Sequence, residues 1–261
     1  MKKAAYIFTV FTILFGCSSK SEKLDNTSID KKSEVGNNES KIEQRIVDTD
    51  LNDSLKITNS LYFTKEDGSS FEVKAFLDKS DNVLKVEQKF MNGITNAYGT
   101  TLFYVQKGKK YASKERFEDR KEEKQTFVER ISFYDKNEKV ISTKIRKSFF
   151  EEDLDAQKYE NVTLYDCSIN QAMNAINQQG EFKTLFQGFV FNGRTNYITV
   201  GENGKNGYVS ALLLQYENDV TRKLMKNQKD MIGKKLDLNF QKMIDNTGFE
   251  FQVLLSVAFA K

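Results

Sequence analysis

From residue 56 to about 149, apolar and polar residues alternate one by one, broken only by short runs of turn-forming residues. A period of two is the pattern of strands with one buried face. It constrains the fold more than any other feature of the chain. Phe71, Val73, Ala75 and Leu77 make one such set, Leu84, Val86 and Phe90 another, and Phe127, Ile131 and Phe133 a third. The breaks fall at Asp67-Gly68, Asp78–Asn82, Asn92-Gly93, Lys107-Gly108 and Asp135–Glu138. The chain has no proline, so its turns must be built from Gly, Asn, Asp and Ser, which accept left-handed backbone or hydrogen-bond their own main chain. Connections this short join antiparallel neighbours, because a parallel crossover takes a dozen or more residues and usually a helix. An antiparallel β-meander of about six or seven strands is expected over residues 56–150. Its charged stretch Lys114–Lys124 is balanced in sign and reads as a solvated hairpin tip or sheet edge.

The second half is patterned differently. Residues 151–181 read as a connector. It opens with the acidic group Glu151, Glu152, Asp153 and Asp155 and contains a short helix with Ile169, Ala172, Met173 and Ile176 on one face. Ser168 and Gln171 have the spacing of a capping box. Residues 182–261 then give three strands, a helix over 218–228 and two strands, with Gly201–Gly207 as a hairpin loop. That loop lacks both the Lys-Ser/Thr ending and the following helix of a phosphate-binding loop. The order of elements resembles the OB-fold, a Greek-key barrel with its helix between the third and fourth strands. The resemblance implies a small OB-like β-barrel, on which Phe191, Tyr197 and Tyr208, with Arg194 and Lys205 nearby, would be the stacking and basic groups. The fold class expected is thus mainly β (α+β), a meander followed by an OB-like barrel with one or two short helices.

The N-terminus carries an address. Lys2 and Lys3 precede an apolar run, Ala4 to Phe15, too short to span a bilayer and right for the core of a signal peptide. The run ends Leu14-Phe15-Gly16-Cys17, which resembles the lipobox of bacterial lipoproteins; Phe15 is bulkier than the usual residue there. The resemblance implies removal of residues 1–16 and acylation of Cys17, with several acyl chains holding the protein to a membrane. Ser18, in place of the Asp of inner-membrane retention, implies the outer membrane. The abundance of Lys, Asn, Ile and Phe resembles Bacteroidota proteins, and Asp53-Ser54-Leu55 has the form of their short O-glycosylation site. Residues 17–55 are polar and have no aromatic residue, so they read as a disordered tether reaching on the order of 30 Å. Ile42, Ile46 and Leu51 are spaced as on a short amphipathic helix within it.

Composition narrows the function. There is no histidine, which removes Ser-His-Asp and Cys-His catalysis and His-ligated zinc. With Cys17 lipidated, Cys167 is the only other cysteine, has no His to act as its base, and reads as a buried small hydrophobe. The formal charge of +3 is too small to point to nucleic acid as a partner. No catalytic residue, metal ligand or cofactor site is expected; the functional residue is Cys17. The reading is a membrane-anchored cell-envelope lipoprotein that binds or scaffolds an envelope protein without catalysis. The alternatives are a carrier or sensor of a hydrophobic ligand held by the curved sheet, and a hydrolase using carboxylates or Ser/Lys chemistry.

Overall fold

The computed structural model describes residues 27–121, 124–193 and 195–260, and Cys17 and Arg194 lie outside them. A helix, α1 (Thr27–Asp50), precedes two short strands, β1 (Lys56–Asn59) and β2 (Phe63–Thr64). The meander follows as β3 (Ser70–Leu77), β4 (Val83–Met91), β5 (Tyr98–Gln106), β6 (Lys109–Lys121), β7 (Lys124–Tyr134) and β8 (Val140–Ser148). Beyond a 3-10 turn at Leu154–Ala156 come β9 (Glu160–Asn161), α2 (Asn170–Ile176) and a second 3-10 turn at Gly180–Phe182. The remaining elements are β10 (Phe186–Asn192), β11 (Thr195–Gly201), β12 (Val209–Leu213), α3 (Asp219–Lys226), α4 (Gln228–Met231), β13 (Leu236–Ile244) and β14 (Glu250–Phe259). The protein is mainly β. Among the described residues all strands join in one sheet, ordered β10-β11-β12-β2-β3-β4-β5-β6-β7-β8-β9, with β1 beside β3 and the β13–β14 hairpin beside β12.

The meander has the expected antiparallel register. Its turns repeat one device: an aspartate opens the turn and its carboxylate accepts main-chain N–H groups two and four residues on. Asp78 accepts from Ser80 and Asn82, Asp135 from Asn137 and Lys139, and Asp245, in the β13–β14 turn, from Thr247 and Phe249. Lys107 and Gly108 both have positive φ (52° and 74°), the two-residue turn whose twist matches the flanking strands. At Gly99 a Cβ would come within 2.5 Å of the Phe90 ring and 2.7 Å of Phe117 Cβ, so only glycine lets that ring cross the strand.

Three sequence expectations are corrected. The stretch expected to be a disordered tether is helical over Thr27–Asp50. Ile42 and Ile46 are buried against Tyr104, Ala112, Ile131 and Phe133, and Glu39 and Glu43 of α1 pair with Lys144. At the other end Asp50 meets Lys85 and accepts from the Tyr104 hydroxyl at 3.0 Å. Two isoleucines, each worth about 1.5–3 kcal/mol when buried, suffice where a sheet offers an apolar pad. Aromatic content, the basis of the tether reading, did not register this.

The second correction concerns the barrel. Strands and helix follow the expected order, and β14 lies parallel to β12, but the five strands do not close. A single antiparallel bridge, Leu185 to Lys235, pins the start of β10 to the start of β13 in place of a ladder. The set is also fused to the meander, since Thr64 of β2 pairs with Val209 of β12. The reason lies in the core. Phe182 sits 4.9 Å from Phe63, 4.9 Å from Phe71 and 4.7 Å from Tyr208, centroid to centroid, so aromatic residues of both halves bury one another. Leu61, Val73, Ile198, Leu212 and Leu224 complete this shared cluster. The expected capping box at Ser168 is also absent: α2 begins after Ile169 without a side-chain cap, and the reciprocal box forms instead at Asn218 and Thr221 of α3.

Candidate functional site

The sheet forks at β12. One edge of this strand pairs with β11, and the other is divided, with Val209 taking β2 and Leu213 taking β14. The two branches diverge, and the gap between them is bridged by one side chain. Gln252, on β14 and 7% exposed, accepts the Tyr62 N–H at 2.7 Å and donates to Ser210 Oγ at 3.0 Å and to the Ala211 carbonyl at 3.3 Å. Its primary amide thus does locally what a strand would do: it occupies a main-chain donor and a main-chain acceptor that the fork would leave unpaired.

A half-open cleft of about 650 Å³ lies in the crotch of this fork. Tyr62, Tyr197, Phe249 and Phe251 are among its walls, with Tyr62 and Phe249 exposed to solvent. Its polar lining comes from Thr64, Ser210, Gln252, Glu250 and the ion pair of Lys242 with Glu72, which ties β13 to β3.

A second feature lies at the end of the meander where β4 and β5 turn. Met91, Ile94, Tyr98, Phe149 and Phe150 are all exposed. The β4–β5 turn is held to the segment after β8 by a 2.8 Å hydrogen bond from the Tyr98 hydroxyl to Glu151, and to β6 by Arg120 donating to the Thr95 carbonyl at 2.9 Å. This end of the meander thus carries two exposed apolar groups, Met91, Ile94 and Tyr98 at the β4–β5 turn and Phe149 and Phe150 after β8, linked through the Tyr98–Glu151 bond.

The charged stretch of β6 is not simply solvated. Arg116 and Lys114 face Glu129 of β7, which is 1% exposed and also takes Arg146 of β8 at 2.7 Å and the Tyr159 hydroxyl. Asp155 closes the network from the connector, accepting from Arg116 at 2.8 Å and pairing with Arg146. A hydrogen bond from Arg116, with the charges of Arg116 and Arg146 behind it, holds its carboxyl below the usual range. The acidic connector is therefore in part a clamp on the sheet.

On the opposite face, Ser132, Thr143 and Tyr134 are buried because they hydrogen-bond the main chain of Tyr165 and Cys167. This strap explains polar residues at core positions, which the alternation pattern could not. Cys167 is half-buried beside Glu115, and burial, with that carboxylate, pushes the thiol up to about 12. Glu115 is itself raised by burial, against the pull of Arg130 at 3.0 Å.

The residues expected as stacking groups on the second half are not brought together. Tyr208 is core, packed on Phe182, with Lys65 over its ring at 4.3 Å. Phe191 is exposed at the β10–β11 turn, and Tyr197 alone reaches the cleft. Gln252, Tyr62 and Phe249 were not expected as site residues. The alternation of Phe249, Phe251 and Val253 puts Gln252 on the outward face of the last strand, and its burial comes from a break in that alternation, where Gln252, Val253 and Leu254 are all buried. Gly201–Gly207 is the hairpin loop expected, closed by Glu202 N–H donating to Tyr208 and Gly207 N–H to Gly204. Among the described residues no helix is long and apolar enough to cross a membrane, and no three Cys, Asp or Glu side chains are placed to hold a metal ion. No family model, no curated protein and no solved structure matches the chain. What the fold and its surfaces define is a mainly β protein with a forked sheet, a mixed aromatic and polar cleft, and an exposed apolar end.

Proposed function

We propose that this chain is a cell-envelope lipoprotein, anchored through acylated Cys17 on the outer membrane, that binds or scaffolds an envelope protein without catalysing a reaction. The observation that carries the binding role is the apolar end formed by Met91, Ile94, Tyr98, Phe149 and Phe150. Large apolar side chains gathered on the outside of a folded chain mark interaction surfaces. The charge at this end is mixed, with Arg120 at the β4–β5 turn and Glu152 and Asp153 following Phe150 in the chain, which favours a protein over an anionic lipid surface. The buried acids support a non-catalytic reading: Glu129 and Glu115 are engaged by arginines, so their charge serves the fold. The residues that would line an acyl-chain cavity beneath the first sheet pack on one another instead, which weighs against the carrier alternative.

The test is made in cells of a Gram-negative host on the full chain. Labelling with a clickable palmitate analogue is expected for wild type and lost in Cys17→Ala, together with membrane retention. A photoreactive phenylalanine at Ile94 or Phe150 is expected to cross-link one discrete envelope protein, and the same group at exposed Lys205 is not. Wild type that carries no lipid refutes the anchor. Cross-links identical at all three positions refute the apolar end as the binding surface.

A further inference from the structure

We infer that the cleft at the fork of the sheet is a binding site for a neutral oligosaccharide. Three properties of the cleft together select this class. The first is the form of its apolar lining. Tyr62, just before β2, Tyr197 on β11, and Phe249 and Phe251 at the start of β14 line it from three parts of the sheet, and among the described residues no ring-on-ring contact joins any two of them. The rings are therefore not spent on one another. A pyranose offers flat patches of C–H groups ringed by hydroxyls, and such patches lie on aromatic faces while the hydroxyls seek fixed polar partners at the ring edges.

The second is the fixed polar lining. Ser210 is nearly fully buried, and its Oγ accepts from the Gln252 amide, so its hydroxyl is set in place, with its own O–H left to donate, before a ligand arrives; Gln252 itself is spent on Tyr62, Ser210 and Ala211. Glu250 adds an acceptor, and Thr64 both a donor and an acceptor. Polar groups positioned in advance bind hydroxyls without ordering cost.

The third is what the cleft turns away. Lys242 is matched by Glu72, which leaves Glu250 as the unbalanced charge in the lining, so phosphates and nucleic acid are disfavoured. An extended peptide would need a free strand edge, but the Tyr62 N–H and the Ala211 carbonyl are already taken by Gln252. An acyl chain would have to strip water from Glu72, Lys242 and Glu250. The volume, about 650 Å³, is in the range of small-ligand sites, and the half-open shape lets a chain of sugars continue past either end. The inference is independent of the anchor and of the apolar end.

The folded chain is titrated with maltotetraose, cellotetraose and chitotetraose, binding being read by saturation-transfer NMR and calorimetry. At least one is expected to bind saturably at millimolar concentration or below. Phe249→Ala and Tyr62→Ala are each expected to weaken it by about tenfold or more. Phe249 is exposed and the Tyr62 main-chain bond survives truncation, so the fold is retained, as circular dichroism checks. Ile94→Ala, outside the lining of the cleft, leaves binding unchanged. No saturable binding to any of the three sugars overturns the inference, as does binding that the two cleft variants leave intact. Dodecanoate or polyphosphate binding in the cleft in place of the sugars overturns it as well.

Discussion

At the scale of single residues, the molecule keeps its charges by pairing them inside the sheet. Glu129 is the clearest case, a carboxylate that is 1% exposed with Lys114, Arg116, Arg146 and Tyr159 around it. Glu129→Gln removes the buried anion and leaves Arg116 and Arg146 with Asp155 alone, a change expected to cost about 3–5 kcal/mol. Urea denaturation of the two proteins measures it, and a loss under about 1 kcal/mol would show the network to be surface-like. Cys167 allows a second prediction. With its thiol pushed up to about 12, almost no thiolate exists near neutral pH. In a Cys17→Ala background, a disulfide reagent at pH 8 is expected to react roughly a hundredfold or more slowly with the folded protein than with the urea-unfolded one. Equal rates would mean that the thiol is open to solvent. Little of this was legible in the sequence. Glu129 occupies a position in the alternation that gives no hint of Arg146, which arrives from the neighbouring strand only through the register of β7 and β8.

At the scale of elements, the turns and the helices α2 and α3 were legible in the sequence, and α1 was the least legible element. Asp78, Asp135 and Asp245 open turns that the sequence marks by composition, and their shared geometry has a consequence in acid. In each, hydrogen bonds from side chains or main-chain N–H groups a few residues on hold the carboxyl below its ordinary value. A carboxyl lowered in the folded state stabilises fully above its unfolded pKa, and that stability is lost as pH falls through the lowered value. The urea midpoint is therefore expected to drop below about pH 4. The drop should be shallower in Asp78→Asn/Asp135→Asn, which start weaker at pH 7. Parallel curves for variant and wild type would remove these turns as the acid-sensitive groups. Helix α1 was legible only as the pair Ile42 and Ile46. What makes it a docked element is the pad of Tyr104, Ala112, Ile131 and Phe133, assembled from three strands, and no local pattern reports a surface built elsewhere.

At the scale of the whole molecule, element order was read correctly and assembly was not. Three strands, a helix and two strands suggested an independent barrel, but β12 divides its free edge between β2 and β14, and the aromatic core is shared. Phe182, from a three-residue 3-10 turn, is the joint. Phe182→Ala is expected to lower stability by about 3–5 kcal/mol. Unfolding should remain one transition, coincident by circular dichroism and tyrosine fluorescence, because neither half has a complete core alone. Two separated transitions would show that the halves stand apart.

The placement of α1 has a mechanical consequence. Its docked part runs from Lys144 of β8, beside Glu39, across the sheet to Lys85 of β4, beside Asp50. It crosses the strands rather than lying along them. Any load on the chain before residue 27 therefore enters at the β8 side and lifts the helix contact by contact, as tape comes off a surface. The ion pairs of Lys144 open first and the Asp50 contacts last. Only after that does tension reach β1 and the hydrogen-bonded sheet. Under such a load the helix would yield before the sheet and lengthen the reach of the folded body.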